Sequence, residues 1–99
     1  MLKVHLSHCK NPDLDGGYWS HMTRPKAMWV KASSLADASD KCRAFISLYE
    51  LGGGNWSGGD IKHKGIVIAR VSYNGRVWDA GADFQIEVTG ADLQDTDWN

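Results

Sequence analysis

The residues of this chain that could carry chemistry are few and scattered. His5, His8 and Cys9 form the densest group of potential metal ligands, and His21, Cys42 and His63 could add to it. Their spacing argues against joint action. On a strand His5 and Cys9 share one face while His8 points to the other, and no C-x-x-C or H-x-x-x-H pair is present to fix a tetrahedral site. Surface or edge-strand histidines are the plainer reading. Gly52-Gly53-Gly54-Asn55-Trp56-Ser57-Gly58-Gly59 invites a phosphate-loop interpretation, yet it lacks Gly-Lys-Ser/Thr and follows an expected helix rather than a strand. Ser57 misses the nucleophile elbow by its first glycine. Asp13-Leu14-Asp15-Gly16 begins like a calcium loop without its later acidic positions, so a turn explains it better. Asn55-Trp56-Ser57 is formally a glycosylation sequon, without meaning in a cytosolic chain. The pattern therefore points away from an enzyme and implies no cofactor and no metal.

Binding is the chemistry that remains. Five tryptophans in 99 residues cannot all enter so small a core. Trp29 and Trp78 sit in strand patterns and are expected inside. Trp56, between flexible glycines, and Trp19, beside a turn, are expected to contact a partner, with Asn55 next to Trp56. The alternative for Trp56 is a loop side chain folded back as a lid over the helix end. Exposed aromatics among Lys26, Lys31, Lys62, Lys64, Arg70 and Arg76 would also suit nucleic acid, since rings stack on bases and cations meet phosphates. No dense basic run and no RNP-type aromatic motif accompanies them.

Charge is distributed unevenly. Residues 1 to 79 hold all eleven Lys and Arg against seven acids, while residues 80 to 99 hold five acids and no base, so a +4 body carries a −5 end. Asp92, Asp95 and Asp97 in this end are read as a solvated tail, as an acidic patch for a basic partner, or as a screen for the protein's own basic face.

The elements that must position these residues follow from periodicity. Leu2, Val4 and Leu6 alternate with Lys3, His5 and Ser7, as in a strand with one buried face. Residues 11 to 17 are turn-rich, and a second strand is expected near 27 to 32. Leu35, Ala38, Cys42, Phe45 or Ile46, and Tyr49 form one helical stripe, with Ser33 or Ser34 as N-cap, Asp37 in the first turn, an Asp37–Lys41 pair, and Gly52 placed to end the helix. A short strand at 60 to 63 is expected to pair across Lys64-Gly65 with one at 66 to 73. Asn74-Gly75 is the preferred pair for a two-residue type I′ hairpin into 76 to 79, and Phe84, Ile86 and Val88 suggest a further strand.

The expected fold is α+β: one domain over residues 1–90, in which a single amphipathic helix packs on a mostly antiparallel sheet of about four to six strands in the order β-β-α-β-β, with an acidic tail over 91–99 that need not be ordered. With 42% hydrophobic residues the chain can fill one core. It has neither an apolar leader nor a run long enough to span a membrane, so a cytoplasmic protein is expected. Cys9 and Cys42 are then reduced thiols, best read as buried small hydrophobes. One helix covers only part of such a sheet, which leaves monomer and homodimer both open.

Residues 33 to 79, through the glycine run at 52–59 and Val71-Ser72-Tyr73-Asn74-Gly75-Arg76-Val77-Trp78-Asp79, resemble a group of small uncharacterised proteins of bacterial prophages and mobile elements. The compact shape and acidic end are similar to anti-CRISPR and related phage inhibitors. The resemblance implies a non-enzymatic protein that occupies a site on a host nuclease or surveillance complex, with Trp19, Asn55, Trp56 and the acidic tail as its contacts. A nucleic-acid-binding module is the alternative, and a small enzyme or metal-binding protein acting as a dimer through His5, His8 or Cys9 the third.

Overall fold

The computed structural model describes residues 1–8 and 27–98. Trp19, Cys9, His21 and the turn-rich stretch at 11–17 lie outside the described residues. The chain order is β1 (Leu2–Leu6), β2 (Met28–Ala32), α1 (Leu35–Leu48), β3 (Asp60–His63), β4 (Ile66–Val71), β5 (Val77–Asp79), β6 (Glu87–Val88) and a short α2 (Ala91–Gln94). The strands form one six-stranded sheet in the order β2-β1-β3-β4-β5-β6, with every pairing antiparallel. The α+β architecture expected from periodicity is the one found, and two strands follow the β-β-α-β-β core order.

Alternation in β1 sets the two faces of the sheet. Leu2, Val4 and Leu6 are buried and turn toward α1, where Ala38, Cys42 and Phe45 meet them in a core that also takes Ala32, Leu35, Leu51, Ile61, Ala69, Val71 and Val77. Register carries this orientation outward, since Leu2 and Val4 lie opposite Ala32 and Val30 on β2, and Val4 opposite Ile61 on β3. The opposite face therefore collects Lys3, His5, Trp29, Lys31 and Lys62.

Local signals explain the ends of α1. Ser34 is the N-cap, its hydroxyl accepting from the Asp37 N–H at 2.9 Å, an arrangement that contributes about 1 kcal/mol. Asp37 accepts from the Ser33 N–H at 2.9 Å and from Lys41 at 2.8 Å, and these partners hold its carboxyl below the usual carboxylate range. The helix does not run to Gly52. Leu51 N–H donates to Ile46 O and Glu50 N–H to Ser47 O, a Schellman closure in which Glu50, not a glycine, takes the left-handed position at φ 51°. Burial of Leu51 after that turn holds the closure in place.

The hairpins also differ from the sequence expectation. Asn74-Gly75 does not form a type I′ turn, because Gly75 alone in that loop has positive φ. Gly75 N–H donates to Ser72 O and Ser72 N–H to Arg76 O, giving a three-residue loop of a type I turn followed by a left-handed glycine. The Ser39 hydroxyl donates to Gly75 O at 2.7 Å and ties this loop to α1, a tertiary bond that local turn preference does not anticipate. The type I′ signature stands instead at Lys64-Gly65, with φ values of 52° and 81° between the paired His63 and Ile66. The expected strand through Phe84, Ile86 and Val88 shrinks to Glu87–Val88, because Asp83 and Phe84 both adopt left-handed φ.

Among the described residues no helix is long and apolar enough to cross a membrane. Cys42 is a buried thiol, pushed up to about 12 by desolvation, in keeping with the small-hydrophobe reading. Residues 91–98 run along the helix side of the sheet. There α2 meets α1, Leu93 and Trp98 pack against the core, and the Trp98 ring meets His63 edge-on at 5.2 Å.

Candidate functional site

Strand register assembles a basic and aromatic surface on the face away from α1. Lys3 on β1 lies directly opposite Lys31 on β2 and Lys62 on β3, so three lysines stand abreast on adjacent strands. Neighbouring strands are about 4.8 Å apart, and like charges directly opposite each other are destabilising. Among the described residues none of Lys3, Lys31, Lys62 and Lys64 is held by a carboxylate, whereas Lys41 pairs with Asp37 and Arg70 with Asp60. Among the described residues the row is thus a concentration of positive charge without an acidic partner.

Trp29 lies on the same face. Its cross-strand partner is His5, and the two rings stack with centroids 4.7 Å apart and planes 25° from parallel. The Lys62 ammonium sits over the indole at 4.6 Å from its centroid. Met1, Lys3, Trp29, Lys62, Lys64 and Gly65 line an open cavity of about 460 Å³ here. The expectation that Trp29 is a core residue is overturned, since it is 41% exposed. The run Met28-Trp29-Val30 has no polar break to show which side is buried; pairing with β1 decides it, turning Val30 and Ala32 inward and Trp29 outward. Trp78, also expected inside, is half-buried on the outer face opposite Arg70.

Lys64 enters this cavity from a strained backbone. Its φ of 52° is left-handed, a conformation that costs an L-residue with a long side chain about 1 kcal/mol and that asparagine tolerates better. Replacing Lys64 with asparagine is expected to raise stability by about 0.5–1 kcal/mol, read as a higher midpoint in chemical denaturation. A lower midpoint would show that the lysine side chain stabilises the hairpin.

Of the cations singled out from the sequence, Lys31, Lys62 and Lys64 come together, joined by Lys3. Arg70 and Arg76 do not, and Lys26 lies outside the described residues. The Arg70 Nε donates to Asp60 at 2.8 Å and its guanidinium lies 4.0 Å from the Phe84 ring centroid, while Arg76 borders a separate recess beside α1 and the 72–77 loop. Lys3 could have been found from its outward position in the Leu2-Val4-Leu6 alternation; its alignment with Lys31 and Lys62 could not, because register is a tertiary property.

The proposed protein-contact residues are dispersed. Asn55 is buried, and its side-chain oxygen accepts from the Gly52 N–H at 3.3 Å. The Trp56 indole is half-buried against the core, 6.1 Å from the Phe45 ring, and its Nε1–H donates to Val71 O at 3.1 Å. Asp92, Asp95 and Asp97 are exposed, and the Asp95 side chain accepts from the Asp97 N–H. His5 and His63 are engaged with Trp29 and Trp98 respectively, and among the described residues no three His, Cys, Asp or Glu side chains converge. Comparison with protein-family models, curated proteins and solved structures finds no match to this chain.

Proposed function

We propose that this protein binds nucleic acid through the open face of its sheet. The observation that carries the reading is the in-register row Lys31–Lys3–Lys62, which borders an exposed tryptophan and a cavity that Lys64 also lines. Phosphates are the ligand groups that relieve such a row, because each ammonium that meets one releases condensed counterions and removes a like-charge neighbour. A surface-wide net charge is unnecessary when the cations are concentrated in this way. Steric blocking of a host complex, the reading drawn from the resemblance, keeps the exposed Asp92, Asp95 and Asp97 as candidate contacts, but its central pair is engaged within the fold: Asn55 is buried and the Trp56 indole is bonded internally.

Fluorescence anisotropy with a labelled oligonucleotide at several salt concentrations tests the proposal. Four lysines on phosphate give an expected slope of log K against log salt of about −3 to −4. The combined Lys3→Ala, Lys31→Ala and Lys62→Ala variant should flatten that slope by about 2 to 3. Absence of binding at low salt, or an unchanged slope in the variant, would overturn the reading.

A further inference from the structure

We infer that the ligand is a single strand, one of whose bases stacks on Trp29 in the place now held by the Lys62 ammonium. This rests on the nucleic-acid reading above and narrows it. The indole is 41% exposed, and His5 stacks with it at 4.7 Å, 25° from parallel. The Lys62 ammonium lies 4.6 Å from the centroid of the same ring, and it comes from β3, where Lys62 pairs with Lys3 rather than with His5. The indole lines the cavity of about 460 Å³ together with Lys3, Lys62 and Lys64, a size suited to one small ligand group, and His5 is not among the lining residues.

Exchange is favourable there. Stacking a base on an aromatic ring outweighs an exposed cation–π contact, and the displaced ammonium remains beside Lys3, where it meets the phosphate of the same nucleotide. His5 stacks with the ring, which holds the platform before the base arrives. A duplex offers the lysines the same phosphates but keeps its bases stacked on one another, leaving no free ring face for Trp29. The lysine row therefore serves either form, whereas the tryptophan serves the single strand alone.

The test is anisotropy of the full chain with a short labelled oligothymidylate, its ribose counterpart and a duplex of the same length, at one low salt concentration. Both single strands are expected to bind about tenfold more tightly than the duplex. Whichever of the two binds more tightly identifies the natural source as DNA or RNA. Trp29→Ala should weaken single-strand binding about tenfold and duplex binding less than about twofold, with Trp29→Phe restoring most of the loss. Trp29 lies on an edge strand and is exposed, and circular dichroism of each variant checks that the fold is kept. Equal affinity for single strand and duplex, or an equal loss for both on Trp29→Ala, would overturn this inference while leaving the lysine-row reading intact. No binding to any of the three would remove both.

Discussion

Gly59→Ala is expected to destabilise the fold by about 3–5 kcal/mol, a large share of the roughly 5–15 kcal/mol by which a domain is stable. Gly59 joins three strands. Its N–H donates to His5 O at 2.7 Å on β1, and its carbonyl accepts from the Val71 N–H at 2.8 Å on β4, immediately before β3 begins. A Cβ at this position would lie 2.1 Å from Val71 O, and the backbone φ of +106° is one that L side chains rarely adopt. Backbone is what it would strike, so no rotamer change relieves the clash. The neighbouring Gly58 faces a similar limit, its Cβ falling 2.5 Å from His5 O. Gly65 supplies the control, because it too has positive φ but nothing stands within 4 Å of its Cβ. Gly65→Ala should therefore cost only the backbone strain, about 1 kcal/mol. Urea titrations of the two variants measure the difference; similar midpoints would show that β1 and β4 can separate at Gly59 without loss.

This role for the glycine run was not legible in the sequence. Five glycines around Trp56 signalled unusual backbone angles and a flexible loop. What the run accomplishes is close approach, since residues 56–59 continue the β1 ladder through Ser57 N–H to Ser7 O and Gly59 N–H to His5 O. Those partners lie some fifty positions away in the chain, beyond any local pattern. Elements with their own periodicity were legible: the apolar helical stripe and the alternation of Leu2, Val4 and Leu6 appear as read, while the structure chooses Ser34 over Ser33 as the cap and Phe45 over Ile46 as the buried position. Misreadings arose where tertiary bonds override local preference, as when Ser39 holds the 72–76 loop in its three-residue form or when burial of Leu51 places Glu50 in a left-handed turn. The candidate site divides in the same way. Outward lysines follow from alternation, but that three of them align beside Trp29 depends on the register of β2, β1 and β3.

Trp56→Ala separates the two uses of this tryptophan. An exposed binding anchor would leave the fold intact when truncated and lose its partner. Packed as it is on Phe45, with its Nε1–H on Val71 O and its ring end against Gly58, the indole instead closes the space between the C-terminal end of α1 and the start of β3. Truncation should cost about 2–4 kcal/mol, below the upper range for tryptophan because the side chain is only partly buried. For a domain of this size that lowers the melting midpoint by roughly 10–25 °C. Trp56→Phe keeps most of the packing but leaves Val71 O without its donor, and an intermediate loss of about 1–2 kcal/mol is expected. Because Trp56 does not line the lysine cavity, the folded fraction of either variant should bind oligonucleotide with unchanged affinity. A full melting midpoint for Trp56→Ala would instead restore Trp56 as a free anchor. Lost affinity in a folded variant would extend the binding surface to the glycine loop.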